Sequence, residues 1–165
     1  WVNGVLTSGE MLSETIIKQA KRGIIAVGTK QGFLVGTGNY IWPVDNPSIT
    51  CHWGCYLGHT GTDIVNRYDK YCPVYAMDSG TVDATGWHWD MGNFCIINHN
   101  NGMRTMYMHL NVPAYVEEGQ NVTRGQLIGQ MGNTGYSEGV HLHVTFELNG
   151  TRVNACNYLP CSLID

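Results

Sequence analysis

Between residues 41 and 150 the chain is divided into short apolar runs by turn-forming sequences. Glycine and asparagine cluster between the runs, as at 100–102 and 132–135. Several short strands separated by such turns are typical of an all-β, largely antiparallel domain. We therefore predict this fold class. The predicted strands cover residues 74–76, 80–84, 94–98, 103–108, 126–130 and 140–147.

Composition limits the possible functions. A chain of 165 residues can form one domain with a hydrophobic core and a short appendage. Charged residues make up only 13% and glycine occurs 21 times, which fits a loop-rich β protein. The net charge is -4 without a basic cluster, so we expect neither nucleic acid nor an anionic membrane as a partner. No apolar run approaches the roughly 20 residues that span a bilayer, so we expect no membrane insertion by this chain.

The first part of the chain differs from the rest. It starts at Trp1 without a methionine, so we expect a piece of a longer protein. Residues 10–21 partly follow the spacing of an amphipathic helix, whereas residues 24–27 favour a strand. Residues 31–39 are rich in glycine and polar side chains and are typical of a linker. We predict two parts, residues 1–38 and residues 39–165.

Six cysteines form no C-x-x-C pair, which argues against zinc-ribbon or thioredoxin chemistry. An even number is consistent with disulfides in an oxidising compartment, although six cysteines allow 15 pairings. The closely spaced pairs Cys51/Cys55 and Cys156/Cys161 are the simplest to join. Free, buried thiols are the alternative.

The predicted strand at 140–147 contains His141 and His143. Residues two apart in a strand point to the same face, so both imidazoles should lie on one side of the sheet. Leu142 and Val144 would then point into the core. Two histidines on one face can begin a metal site or an acid/base pair, but they can equally be polar residues on a solvated face.

Two further positions carry similar chemistry. His59 and Asp63 lie four apart on a glycine-bracketed turn, and imidazole nitrogen and carboxylate oxygen are normal zinc ligands. His109 ends an apolar run. Each has an ordinary alternative, a surface turn for the first pair and a polar strand end for the second. His52 and His99 are expected to have no functional role. The same holds for His88, although its loop could contact substrate.

In combination these elements resemble the LytM/lysostaphin-type family of zinc peptidoglycan endopeptidases. The resemblance covers about residues 54 to 150. It rests on "GHTGTDI", "PVYAMDSGTV", "GNFCIINHNNGMRTMYMHL" and "VEEGQNVTRGQLIGQMGNTGYSEGVHLHVTFEL", which occur in the family's order. The implied fold is an antiparallel β domain whose sheet floors a groove walled by loops.

The resemblance also implies roles for five side chains. His59, Asp63 and His143 would bind one Zn²⁺ per chain, and His109 and His141 would be the catalytic histidines. Family members often add a tyrosine from a loop before the first zinc histidine; Trp53 and Tyr56 lie nearby, and neither clearly matches that position. The cysteines and the loop around His88 are departures from the family pattern.

Residues 2–30 resemble the C-terminal part of the G-five module, an extended β module found beside cell-wall enzymes. The features are an Asn-Gly turn, a glutamate-containing middle and the closing "IIAVGTK". This resemblance implies a short extended β segment, so we expect strand rather than helix at residues 10–21.

The function implied is zinc-dependent hydrolysis of peptide bonds in bacterial peptidoglycan, in the stem peptide or the cross-bridge. The chain would act outside the cell or in the cell wall, as part of a longer secreted or membrane-anchored protein. One alternative is a non-catalytic cell-wall-binding or regulatory partner with the same fold. Another is a carbohydrate-binding β domain, which leaves the histidine and aspartate positions unexplained.

Overall fold

The computed structural model describes residues 32–163, and within them the fold is all-β, as predicted. The regular elements are ten strands and two single-turn 3₁₀ helices at Ala155–Asn157 and Cys161–Leu163. The strands are β1 (Pro47–Cys51), β2 (Thr62–Asn66), β3 (Pro73–Tyr75), β4 (Gly80–His88), β5 (Gly92–Asn98), β6 (Met103–Leu110), β7 (Asn121–Val122), β8 (Leu127–Gln130), β9 (Leu142–Leu148) and β10 (Thr151–Val153).

Eight strands form one antiparallel sheet. Seven of them follow the order β1-β2-β9-β6-β5-β4-β7, and the eighth, β10, pairs with β9. Because β6 occupies one edge of β9, strands β2 and β10 share the other edge. Strands β3 and β8 form a separate two-stranded sheet. Strand β9 therefore lies at the centre of the sheet, and its neighbours come from distant parts of the sequence.

The side chains of strand β9 alternate between the core and the opposite face of the sheet, as the sequence predicts. Leu142, Val144 and Phe146 are fully buried in the core. His143 and Thr145 point to the opposite face. The strand begins at Leu142, two residues later than predicted, and His141 precedes it in an isolated bridge with Gly132. The core therefore fixes which face of β9 carries the polar side chains.

Tyr107 on β6 binds the segment between β3 and β4 through its hydroxyl group. Its side chain is fully buried among the core residues. The hydroxyl oxygen accepts a hydrogen bond from the Met77 amide at 2.8 Å and one from the Thr105 hydroxyl at 3.0 Å. Burial raises the pKa of Tyr107, so the phenol stays protonated. A polar atom this deep in the core is acceptable because it is hydrogen-bonded.

The described residues before β1 are hydrogen-bonded to the sheet domain. The amide of Gly36 donates to the carbonyl of His99 at 2.7 Å, and the amide of Gly38 donates to Asp78 at 2.8 Å. The Asn100 side chain donates to a carbonyl of the same segment, that of Leu34. The predictions for the helix or strand at 10–21 and the strand at 24–27 lie outside the described residues. The division of the chain at residue 38 stays a prediction.

Four cysteines form disulfides and two are free thiols, so each of the two alternatives holds for part of the set. Cys51 is bonded to Cys55 and Cys156 to Cys161, which are the two closely spaced pairs. Cys72 and Cys95 are free and buried, and burial raises their pKa to about 11 and about 12. Among residues 32–163, no helix has the length and apolar character needed to cross a membrane.

Replacing Tyr107 with phenylalanine should destabilise the domain. The substitution removes the acceptor of the buried Met77 amide, and an unsatisfied buried donor costs about 1–3 kcal/mol. Chemical denaturation measures the free energy of unfolding. As a control, Tyr136→Phe, at a side chain that is 76% exposed, should change it by less than about 0.5 kcal/mol. Equal stability of the two variants would contradict the role of the Tyr107 hydroxyl.

Candidate metal and catalytic site

The site is built on three neighbouring strands in one register. Asp63 on β2 is the register partner of His143 on β9, and His143 is also the partner of Met108 on β6. Partners in an antiparallel ladder point to the same face, so these side chains form a row across the sheet. His109 follows Met108 directly. The pairing of strands thus places the Asp63 carboxylate beside the His143 imidazole on the polar face, whereas His109 would point to the other face if the strand alternated regularly.

Three donor atoms converge at this point. Asp63 Oδ1 lies 2.7 Å from His143 Nδ1 and 3.1 Å from His59 Nε2, and the two nitrogens are 3.3 Å apart. Ligands of a tetrahedral zinc ion, with bonds of about 2.0–2.1 Å, are separated by roughly 3.3 Å. The three atoms therefore have the identity and spacing of a metal site with one position left open.

In His59 and His143, the ring nitrogen that does not face Asp63 also has a hydrogen-bonding partner. His59 Nδ1 lies 2.9 Å from the carbonyl oxygen of His52, and a carbonyl can only accept, so Nδ1 carries the hydrogen. The lone pair of His59 Nε2 then faces Asp63. His143 Nε2 lies 3.4 Å from the Thr145 hydroxyl, which can accept its hydrogen and leave Nδ1 free for a metal. Such outer partners fix the tautomer of a metal-binding histidine.

The charge of Asp63 is stabilised by its neighbours. Burial alone would raise the pKa of Asp63, but the contact of its carboxylate with the His143 ring and the nearby His141 and His59 imidazoles outweigh it and lower the pKa. The carboxyl group is therefore ionised, as a metal ligand must be.

Close packing beside His143 requires a glycine. A Cβ atom on Gly61 would overlap the His143 ring and the Val144 carbonyl. Gly61 lies between His59 and Asp63 on the turn into β2. The glycine predicted to bracket this turn therefore lets the turn approach β9 closely enough for the donors to meet.

His109 is held in an uncommon backbone conformation. Its φ is +62°, in the left-handed region that non-glycine residues seldom adopt. Its amide donates to the Met91 carbonyl, and its Nδ1 donates to the Thr134 carbonyl at 2.8 Å. Nε2 is thus the nitrogen without the hydrogen in the neutral ring. Burial lowers the pKa of His109, and the His141 and His143 imidazoles lower it further, against the opposing hydrogen bond to Thr134.

His141 has a similar arrangement. Its Nδ1 donates to the Gly139 carbonyl at 2.8 Å, and its Nε2 lies 3.6 Å from Asp63 Oδ1. The rings of His141 and His109 are 4.8 Å apart between centroids. All five side chains singled out in the sequence are therefore brought together, although they come from three separate regions of the chain. Their division into metal ligands and catalytic groups stays a prediction.

The Cys51–Cys55 disulfide closes the loop that carries the His52 carbonyl. The two sulfur atoms lie 3.6 and 3.4 Å from His59 Nδ1. The Cys55 amide also donates to the His52 carbonyl at 3.1 Å. Cys51, Cys55 and His59 are close enough to bind a metal as thiolates, but disulfide sulfurs lack the negative charge of a thiolate. Of the two groups, His59, Asp63 and His143 therefore form the better candidate donor set.

A cavity of about 390 Å³ opens above the donors. His59, His109 and His143 line it, which agrees with the expected groove. The other side chains that line it include Tyr56, Thr60, His88, Asp90, Tyr136 and Arg152. His88 therefore lies at the groove, but at the end of β4 rather than in a loop as predicted. The Tyr56 ring lies 4.7 Å from the His59 ring.

His99 has a structural role, as expected. It is fully buried, with Nδ1 bonded to the Ser79 carbonyl and Nε2 bonded to the Thr105 hydroxyl. His52 contributes to the site through its backbone carbonyl. Backbone acceptors such as this one have no sequence signal and could not be predicted. Arg152, which follows the last motif, was not predicted either.

Comparison with known proteins identifies two matching domain families and several similar proteins. Residues 57–155 match peptidase family M23, and residues 1–30 match the G5 domain. The peptidoglycan DD-endopeptidase ShyA of Vibrio cholerae serotype O1 is 42% identical over 97 residues, covering 59% of this chain and 22% of ShyA. The solved structure of a zinc-containing peptidase from Vibrio cholerae has a TM-score of 0.63 and 34% identity, covering 69% of this chain and 38% of that one. Lysostaphin from Staphylococcus simulans has a TM-score of 0.65 and 32% identity, covering 75% of this chain and 54% of that one. The chain spans about a fifth of the length of the curated relatives it matches.

Opening the Cys51–Cys55 loop should weaken metal binding. The variant Cys51→Ser/Cys55→Ser frees the His52 carbonyl that orients His59, and losing such an outer partner typically lowers metal affinity by about 10–100-fold. Competition with a chromophoric chelator measures this affinity. The matched control is Cys156→Ser/Cys161→Ser, which opens a loop of similar length away from the site and should keep the native affinity. Equal affinities for the two variants would contradict the orienting role of the loop.

Proposed function

Because the chain belongs to peptidase family M23, we propose that it is a zinc-dependent endopeptidase that hydrolyses peptide bonds in bacterial peptidoglycan. The match of residues 57–155 to this family confirms the resemblance found in the sequence. The observation that carries the proposal is the meeting of His59, Asp63 and His143 beside two further imidazoles in one groove. The similarity to a zinc-containing peptidase supports zinc as the metal.

His59, Asp63 and His143 would hold one Zn²⁺ per chain. When bound, zinc lowers the pKa of a coordinated water and polarises a carbonyl group. The carboxylate of Asp63 supplies the negative charge of the donor set. The His52 carbonyl keeps His59 in the required tautomer, and the Thr145 hydroxyl can accept a hydrogen from His143 Nε2.

His109 and His141 would move the protons. In each ring Nδ1 donates to a backbone carbonyl, so the neutral ring has its lone pair on Nε2. One imidazole can take a proton from the attacking water and pass it to the leaving amine. The other, once protonated, can stabilise the negative charge that develops on the carbonyl oxygen of the substrate. The positive φ of His109 is consistent with a residue held for function.

The substrate would be the peptide part of peptidoglycan, reached outside the cell or in the cell wall of a bacterium. The groove suits an extended peptide because loops wall it and the sheet forms its floor. A non-catalytic partner with the same fold is less well supported, since this chain retains all three donors and both additional imidazoles.

The roles of the five residues can be separated by substitution. The purified protein should contain about one zinc per chain and release soluble fragments from peptidoglycan. His109→Ala and His141→Ala should keep zinc and lose turnover by about 10²–10⁴-fold, because each removes a proton-transfer group. His143→Ala should lose both zinc and turnover. Elemental analysis and mass spectrometry of the released fragments provide the two measurements.

Two results would overturn this assignment. A native protein that keeps full activity after complete metal removal would exclude the metal role. Full activity of His109→Ala would exclude the catalytic role of His109 alone.

Activity should depend on pH through the neutral form of His109. Protonated His109 cannot accept a proton, so kcat/KM should rise with pH. Because burial lowers the pKa of His109, the half-maximal rate should lie below the ordinary imidazole value of 6.5. A pH–rate profile on a soluble peptide substrate measures this midpoint, with zinc content followed at each pH. A midpoint well above 6.5, with zinc retained, would show that His109 is not the group that limits the rate.

A further inference from the structure

A row of charged residues crosses the sheet beyond the metal donors. Glu147 on β9 is the register partner of Arg104 on β6 and also of Arg152 on β10. Glu147 lies four residues after His143 on the same strand, so it points to the same face as the metal site. The two arginines therefore flank a single glutamate on this face of the sheet.

Arg104 forms ion pairs with two carboxylates. Its guanidinium group donates to Glu147 at 3.1 Å and also bonds to Asp83. Directly opposite residues of opposite charge usually pair across an antiparallel ladder. Arg152 does not follow this rule, because among residues 32–163 no carboxylate forms an ion pair with it. Its positive charge remains uncompensated within the described part of the chain.

The guanidinium group of Arg152 points toward the metal donors instead. It donates a hydrogen bond to the hydroxyl of Thr60, the residue after His59. The topology explains this contact, since β2 and β10 share one edge of β9 and Thr60 directly precedes the turn into β2. Arg152 lines the same cavity as His59 and His143. The side chain is exposed to solvent there and can donate further hydrogen bonds.

The opposite side of the cavity carries the opposite charge. Asp90 lies in the tight turn between β4 and β5, across β6 and β5 from the metal donors, and it is the carboxylate among the residues that line the cavity. A bound peptide would therefore meet a cation on the β10 side and an anion on the β4–β5 side. The groove therefore has a positively charged side chain on one side and a negatively charged one on the other.

We propose that Arg152 is a specificity-determining residue that binds a free carboxylate of the substrate next to the cleaved bond. The substrates would then be cross-linked peptides that carry such a carboxylate, in preference to bridges of uncharged residues. This inference rests on the proposed peptidase function. A guanidinium group recognises a carboxylate through two parallel hydrogen bonds, and a carboxamide cannot replace that charge. Thr60 positions the arginine, and Asp90 disfavours the reverse orientation.

A pair of synthetic cross-linked peptides tests the proposal. The two differ only at the group beside the scissile amide, a free carboxylate in one and a carboxamide in the other. For the zinc-loaded native protein, kcat/KM should be about tenfold higher for the carboxylate peptide, as expected for one charge-assisted contact at an exposed position. The difference should lie mainly in KM.

Three variants separate binding from folding and from overall charge. Arg152→Gln should keep zinc and lose the preference, because kcat/KM for the carboxylate peptide falls by about tenfold. Arg152→Lys should restore part of the preference through its charge. Arg124→Gln changes the net charge equally at an exposed arginine bonded to the Asn39 carbonyl, and it should keep the full preference.

The dissociation constants of both peptides for His109→Ala, measured by calorimetry, test recognition independently of turnover. Tighter binding of the carboxylate peptide, abolished by adding Arg152→Gln, supports the inference even if neither peptide is cleaved. Absence of cleavage by the zinc-loaded native protein would count against the proposed function alone. Equal binding of the two peptides, or a preference that survives Arg152→Gln, would overturn the role of Arg152.

Discussion

The pairing of β2 with β9 in one register is the constraint on which the site depends. It sets Asp63 opposite His143, with the two donor atoms 2.7 Å apart. A slip by one residue would turn His143 into the core and Val144 into the groove. The apolar side chains of β9 prevent this, because Leu142, Val144 and Phe146 are fully buried on the other face. Core packing thus fixes the chemistry of the polar face.

The surroundings of the donors prepare them for their roles. His59 is oriented by a carbonyl in a disulfide-closed loop, and His109 and His141 are each oriented by a carbonyl of the 132–139 loop. In these three rings the hydrogen lies on Nδ1, so Nε2 presents its lone pair. Asp63 and Arg152 then provide opposite charges at the groove. A small number of backbone carbonyls therefore determines how the histidines can act.

Much of the fold and of the site could be predicted from the sequence. Turn signals and β-favouring runs identified six strands, and the motif pattern identified the five side chains that meet. The start of β9 was predicted two residues too early. Val140 and His141 continue the β-favouring pattern in the sequence, but in the structure His141 forms only an isolated bridge with Gly132. The positive φ of His109 could not be read, since no glycine or asparagine marks it. The role of the His52 carbonyl was also invisible, because any residue can supply a backbone acceptor. Arg152 escaped notice because its partner Glu147 is engaged by Arg104, which depends on a register between distant strands.

We propose that His59, Asp63 and His143 hold the metal. Anomalous scattering from crystals of the zinc-loaded protein, recorded on both sides of the zinc absorption edge, locates the ion. We expect one peak per chain, bonded by His59 Nε2, an Asp63 carboxylate oxygen and His143 Nδ1, with Cys51 and Cys55 joined as a disulfide. A peak bonded by the sulfur atoms of Cys51 and Cys55, or one that lacks His143, would contradict it.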